Sequence, residues 1–522
     1  MKRLLPIGIQ DFAKLREGGH VYVDKTAAIH RLITGSGSAF FLSRPRRFGK
    51  SLLCSTLAAV FEGRRELFGA LALDSLDWEW EKHPVLRLDL SAGNYGKGTD
   101  FLDSTFKNAI GNVASGYGID IRGNYASEQF ANLIMDMHRQ TGKKVAVIID
   151  EYDKPLLDTM TDAPLHRTIR DELKGFYGIL KQSDRYLRFV FLTGVTKFAH
   201  VSIFSDLNHL TDLTLDPRCA ALCGITQEEL ETDFAPEIEA VLEKSGKSQE
   251  EYLGELRSFY NGYRFSEEPL SVYNPFGLLK HFDCGGRFTP YWYETGTPTF
   301  LVKLIADRKI NILDLGNMQV GGRDFHRYDI ENMRAEPLLY QSGYLTIKDF
   351  DKKSWLYTLD FPNVEVRSCF SGSLLDQYME PSGETSGSMN TRLLQALLKG
   401  DVENAVETLR RFLAAVPYDI IRESENYYQT AVHLIFTMLG FDCRSEVRIS
   451  GGRIDTLVEM EDFVYCFEFK LEGNAEAALA QIDTKEYLLP WEGRGKKLFK
   501  VGVCFDTEKR NIGEWKAAEV LC

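Results

Sequence analysis

Four short and almost unbroken apolar runs, Ala39–Ser43, Val85–Leu90, Val145–Ile149 and Phe189–Thr193, alternate with helical patterns along the first 215 residues. Runs with no polar face suit strands covered on both sides, and strands that alternate with helices build a parallel sheet. Residues 1–215 are therefore expected to form an α/β domain, with a weaker fifth strand at Leu213–Leu215. A chain of 522 residues exceeds one core, and about 100–200 residues per domain suggests three or four.

From Thr226 the pattern turns helical, with amphipathic stretches at Gln227–Leu242 and Gln249–Tyr260, which predicts a helical lid over residues 216–330. The aromatic groups FYNGYRF (Phe259–Phe265), VYNPF (Val272–Phe276) and YWYETGTP (Tyr291–Pro298) read as core and interdomain packing. An apolar helix and a strand pair (Tyr344–Ile347, Trp355–Leu359) suggest a winged-helix-like unit over 331–380. Pro381–Asn390 has linker composition, so 381–420 is read as a linker and helical pair, and 421–522 as the last domain.

Composition narrows the function. No apolar run reaches the ~18–20 residues of a membrane helix, and MKRLLPIGIQDF lacks the apolar stretch of a signal peptide. A cytoplasmic protein with no membrane association is expected. Nine cysteines without disulfide or zinc spacing read as reduced core residues. The net charge is −13, and residues 421–522 hold 13 Lys/Arg against 18 Asp/Glu. That balance argues against a standing clamp on nucleic acid, which would bind locally or after a conformational change. A protein partner or a homo-oligomer is the other expectation.

FFLSRPRRFGKSLL places Gly49-Lys50-Ser51 between a strand and an apolar helical pattern. In that context backbone N–H groups and a helix N-terminus hold phosphate, a lysine reaches the β/γ oxygens and a hydroxyl binds magnesium. ATP and Mg²⁺ are the cofactors this implies. Arg44 replaces the first glycine of the pattern, and a positive φ there would be strained. KKVAVIID ends a buried strand on Asp150, where a metal-linked carboxylate is expected, and Glu151 can orient the attacking water. Thr193 either senses the terminal phosphate or caps the following turn. Arg46 and Arg47 either supply transition-state charge or are solvated. ATP binding is expected ahead of efficient hydrolysis.

Residues 424–522 read helix, strand, strand, strand, helix, strand, helix. In the first helix Glu425 ends a stripe formed with Tyr428, Val432, Ile435 and Leu439. In GRIDTLVEMEDFVYCFEFK a hairpin turn at Glu461-Asp462 puts Met460 opposite Phe463 and Asp455 opposite Glu468; an odd-length loop would shift this. Asp455, Glu468 and Lys470 then share one face. Ile454, Thr456, Val458, Phe463, Tyr465, Phe467 and Phe469 form the opposite, packing face. Two carboxylates converging within ~4–6 Å beside a lysine suit Mg²⁺- or Mn²⁺-dependent hydrolysis of a phosphodiester. The alternative is a strand of ordinary surface charges, as Glu459 and Glu461 are expected to be.

LPIGIQDF, YVDKT (Tyr22–Thr26), SRPRRFGKS (Ser43–Ser51), IIDEYDKP (Ile148–Pro155) and FLTGVTKF with SIFSDLNHLTDLT (Phe191–Thr214) together resemble the bacterial AAA-ATPase-like family. That family carries a C-terminal nuclease of the PD-(D/E)XK superfamily, and the resemblance spans nearly the whole chain. It implies that the arginine-bearing loop is a family trait, with kinship to signal-transducing ATPases that use a lid and winged helix as a switch. The last domain is similar to the D–(E)xK signature, with Asp455, Glu468 and Lys470 in matching places. Glu425 fits its helix glutamate and Gln481 a polar residue on the following helix. The fold class implied is an α/β multidomain chain: a P-loop NTPase parallel sheet, a helical lid with a winged-helix-like unit, and a restriction-endonuclease-like domain. The function implied is an ATP-binding, ATP-regulated, metal-dependent nuclease acting on DNA or RNA. The competing expectation is a nucleotide-dependent protein-interaction switch with a silent nuclease-fold module. An ATPase remodelling machine ranks third.

Overall fold

The computed structural model describes residues 3–197, 210–293, 301, 305, 318–322, 335–378, 386–414, 432, 435–436, 442–449, 452–471 and 473–520. The chain forms two compact units, Met1–Thr295 with Met318–Asn363, and Gly296–Asn317 with Val364–Cys522.

The first unit is built on a five-stranded sheet in the order β2-β3-β4-β1-β5. Its strands are β1 (Ala39–Ser43), β2 (Val85–Asp89), β3 (Val145–Asp150), β4 (Leu187–Gly194) and β5 (Thr211–Asp212), all parallel. Every residue of β1 and β3 is buried, as expected of a sheet sandwiched between helices. The C-terminal ends of β1, β3 and β4 lie side by side, with β4 between the strand that enters the phosphate loop and the strand that ends in Asp150. The fifth strand falls at Thr211–Asp212, not at Leu213–Leu215. Asp212 Oδ1 accepts from Thr214 N at 2.9 Å, and this local turn takes the backbone out of the ladder just past its pairing with Phe41.

The helical pattern at Gln227–Leu242 is two helices, Gln227–Asp233 and Ala235–Ser245. Pro236 sits in the first turn of the second, where its missing N–H does no harm, and so starts a new helix. Gln249–Tyr260 is one helix, capped by Ser248. Strand β6 (Tyr263–Arg264) pairs with β7 (Ser271–Val272). On either side of the helix Ala335–Ser342 in the chain, β8 (Met318–Gly321) before it and β9 (Thr346–Asp351) and β10 (Leu356–Asp360) after it form an antiparallel sheet in the order β8-β10-β9.

The second unit carries the helices Val364–Tyr378, Ser386–Leu398 and Val402–Ala414, so the stretch of linker composition is helical from Ser386 onward. Its sheet runs in order β11 (Asp442–Ile449), β12 (Gly452–Glu459), β13 (Phe463–Lys470), β14 (Lys497–Asp506) and β15 (Asn511–Val520). Only β13 and β14 are parallel, joined by the crossover helix Ala475–Thr484. The final element is a strand where a helix was expected. Pairing with β14 from Leu498↔Val520 to Asp506↔Asn511 overrides the helical preference of WKAAEV. Among the described residues no helix is long and apolar enough to cross a membrane.

Candidate functional site

The phosphate loop begins where β1 ends. Gly49, at φ 89°, precedes the helix Lys50–Phe61, and a Cβ there would meet nothing, so the backbone angle rather than space calls for glycine. Lys50 is buried; its Nζ donates to Pro45 O at 3.2 Å and lies 3.5 Å from Glu151 Oε1. The Ser51 side chain hydrogen-bonds Asp150, whose carboxyl burial pushes up. Asp150 Oδ1 also accepts from Glu151 N at 3.0 Å, and Glu151 holds the left-handed region at φ 53°. Lys50, Ser51, Asp150 and Glu151 are thus brought together.

Positive φ within SRPRRF falls at Arg47 (64°) rather than at Arg44, so the strain expected at Arg44 is absent. Arg44 is fully buried. Its Nη1 donates to Ser43 O and Thr214 O at 2.8 and 2.9 Å, its Nη2 to Cys219 O at 3.0 Å, and its guanidinium lies over the Phe265 ring. Arg46 and Arg47 are exposed, and Arg47 lies over the ring of Phe276 at 4.0 Å. Thr193 is buried and its hydroxyl donates to Leu42 O at 2.7 Å, so it braces β1 instead of lining the cavity.

Above the loop lies a cavity of about 510 Å³ lined by Arg46, Arg47, Gly49, Lys50, Ser51, Leu52 and Glu151, by Pro6 and Gly8 to Gln10, and by Pro275, Phe276 and Leu279. A smaller apolar cavity of about 100 Å³ shares Pro6, Gly49, Leu52, Pro275 and Leu279 with it and runs on to Val21, Tyr22 and Ile225. Together they have the size and the apolar-plus-polar lining of a cofactor site. Sequence reasoning missed these walls. LPIG and YNPF carried the signal: Asn274 caps a helix that starts at Pro275, which sets Phe276 at the cavity.

Asp153 is the other residue missed. It is fully buried, accepts from Val195 N and Thr196 N, and pins the turn after β4. Gly194 has no Cβ because Asp153 Oδ1 would lie 2.2 Å from it. Burial first, and then the Glu151 charge, push the Asp153 carboxyl from 3.8 up to about 6. The folded chain therefore binds this proton more tightly than the unfolded chain. The stability it contributes is present at low pH and lost as pH rises through the folded value. Asp153→Asn is expected to show a smaller fall in melting temperature between about pH 4 and about pH 6.5 than the wild type. An equal fall would remove Asp153 as the source.

In the second unit β12 and β13 pair Thr456↔Phe467, Leu457↔Cys466, Val458↔Tyr465 and Glu459↔Val464, and Met460 N donates to Phe463 O at 2.8 Å. This is the expected register, and Asp455 and Glu468 stand next along it. Asp455 is buried, and its Oδ2 accepts from Phe469 N at 2.9 Å. Glu468 is 1% exposed; its Oε1 accepts from Lys470 Nζ at 3.1 Å and from Gln481 Nε2, which also donates to Tyr487 Oη at 3.3 Å. Burial pushes the Cys466 thiol up, and the charges of Glu468 and Asp455 push it the same way. Among the described residues no group of three or more His, Cys, Asp or Glu is arranged to hold a metal ion. Glu425 lies outside the described residues.

Both faces of this sheet are packed. Val458, Tyr465, Phe467 and Phe469 meet the core that includes Leu393, Leu409 and Phe412. Leu457, Val464 and Cys466 form a second core with Ile482, Tyr487 and Trp491, and Ile454 joins that cluster instead of the Thr456 face assigned to it from sequence. Glu459 accepts from Trp491 Nε1 and Lys496 Nζ, so it is an anchored residue and not a free surface charge. The crossover helix presses on β14 at Gly502, the partner of Glu468, where a Cβ would lie 2.4 Å from Ala475 O and 3.0 Å from Ala478 Cβ. Gly502→Val is expected to cost about 1–3 kcal/mol, read as a lowered denaturation midpoint, and to draw Gln481 off Glu468. Unchanged stability would show that the helix has room to move.

The family described as predicted AAA-ATPase matches residues 6–204, and the PD-(D/E)XK nuclease superfamily matches residues 423–515. A protein of Azotobacter chroococcum mcd 1, described as an uncharacterized protein in the vnfD 5′ region, is 38% identical over 523 residues, 98% of each chain.

Proposed function

Because the chain belongs to the predicted AAA-ATPase family and ends in a PD-(D/E)XK nuclease-superfamily domain, we propose that it is an ATP-regulated, metal-dependent nuclease of the cytoplasm. The observation that carries this reading is the buried Glu468, held by Lys470 and Gln481 beside Asp455, in a chain that also keeps Lys50, Ser51 and Asp150 together.

The donor sets fit the groups they would hold. In the first unit the amides at the start of the helix Lys50–Phe61 and the Lys50 ammonium would bind a triphosphate, and the apolar cavity would take the adenine ring. Ser51 and Asp150 offer hard oxygens to Mg²⁺. Glu151 forms an ion pair with Lys50 and, once released by phosphate, would orient water. In the second unit Asp455 and Glu468 would hold Mg²⁺ or Mn²⁺, and Gln481 fixes the Glu468 carboxylate. The bound cation supplies charge that makes coordinated water a nucleophile near neutral pH. Lys470, now on Glu468, would steady the phosphate charge. Residues 216–330 serve as the lid, 331–380 as the winged-helix-like unit and 381–420 as the connection through which nucleotide state controls the nuclease.

The test is cleavage of single- and double-stranded DNA and RNA with Mg²⁺ or Mn²⁺, with and without ATP. Cleavage that responds to ATP supports the reading, and no cleavage under any of these conditions overturns it. The excess of acidic over basic residues in 421–522 favours one other reading, a nucleotide-dependent interaction switch with a silent nuclease fold. Nucleotide-dependent assembly with a protein partner, unaltered by Glu468→Ala, would select it.

A further inference from the structure

The arginines of the phosphate loop are held in different ways. Arg44 is fixed by three carbonyl oxygens in the core. The main chain at Arg46 is fixed by Trp292, whose Nε1 donates to Arg46 O at 3.0 Å. Arg47 is exposed, and its guanidinium rests on Phe276 at 4.0 Å while both residues line the cavity that holds Lys50 and Ser51. Phe276 sits in the first turn of the helix Pro275–Asp283, whose Leu279 faces both cavities.

An exposed guanidinium lying over a half-buried aromatic ring is weakly held, because water still screens the cation. A charge-assisted, two-pronged contact between guanidinium and phosphate is the stronger of the two. We propose that Phe276 is a positioning residue of the nucleotide site: it holds Arg47 until a nucleoside triphosphate binds, then yields it to the terminal phosphate. Release of the ring makes the helix Pro275–Asp283 a reporter of triphosphate occupancy. This rests on the nucleotide-binding reading and deepens it, because it names the contact that separates triphosphate from diphosphate.

Calorimetric titration of the full chain with a non-hydrolysable ATP analogue and with ADP tests it. Phe276→Leu keeps apolar bulk but removes the ring face, so the contact no longer has to be broken. It is expected to bind the triphosphate analogue about 2- to 5-fold more tightly and to leave ADP affinity unchanged. The gain should vanish in the Arg47→Ala background, and Phe276→Tyr, which keeps the ring, should match the wild type. If Phe276→Leu weakens both nucleotides alike, or acts equally with and without Arg47, Phe276 is only a wall and the inference is overturned. A wild-type chain that binds neither nucleotide overturns the nucleotide reading itself, a distinct result.

Discussion

Asp455→Asn is expected to lower metal-dependent cleavage by at least about 100-fold while leaving nucleotide binding intact. Loss of a group that merely orients a metal ligand costs about 10–100-fold, and loss of a ligand should exceed that. Asparagine is the better test than alanine, because Asp455 Oδ2 accepts from Phe469 N in the core. Removing that acceptor would leave a buried donor unpaired at about 1–3 kcal/mol and blur chemistry with stability. Asparagine keeps an acceptor and removes the charge. Glu468→Gln should act alike, since in the proposed site the two carboxylates share one cation. Gln481→Ala should lose less, within about 10–100-fold, because it only orients Glu468. Wild-type cleavage rates in Asp455→Asn, with the fold intact by circular dichroism, would remove this pair from the reaction.

The hairpin that carries these residues could be read from sequence because its register follows from one turn. Counting outward from Met460 and Phe463 fixes every pair. What alternation could not reveal is a second packed face. The crossover helix returns Ile482, Tyr487 and Trp491 onto that face, so the carboxylates sit at the edge of a core rather than on an open surface. The phosphate loop divides in the same way. Gly49, Lys50 and Ser51 are legible because a local chain turn makes the site. Arg44 is not, because its carbonyl partners Thr214 and Cys219 are 170 and 175 residues further along. A pattern that expects glycine there sees a defect, where the fold uses a buried cation to tie β1 to the loop after β5. Thr193 misleads for a related reason: strand order makes it a neighbour of Leu42, and its hydroxyl satisfies that carbonyl. The break at Phe234 was marked in sequence by Pro236, which amphipathic periodicity alone passes over.

Lys50→Ala is expected to weaken ATP binding about 10- to 100-fold and to abolish the response of cleavage to ATP, leaving ATP-independent cleavage in place. A hydrogen bond to a charged group contributes about 1.5–3 kcal/mol, and each 1.4 kcal/mol is a factor of ten in affinity. The effect extends beyond the lost contact. Lys50 lies 3.5 Å from Glu151, and its charge favours the ionised forms of both Asp150 and Asp153. Without it the buried carboxylates face each other, which holds their protons more tightly and opposes magnesium at Ser51 and Asp150. Lys50→Met separates the two contributions from packing, since it keeps most of the apolar stem. Its affinity should fall as far as that of the alanine variant, because charge and not volume is what the site loses. If Lys50→Met binds the triphosphate as tightly as the wild type, Lys50 does not contact the bound phosphates, and the nucleotide site is not the loop at Gly49.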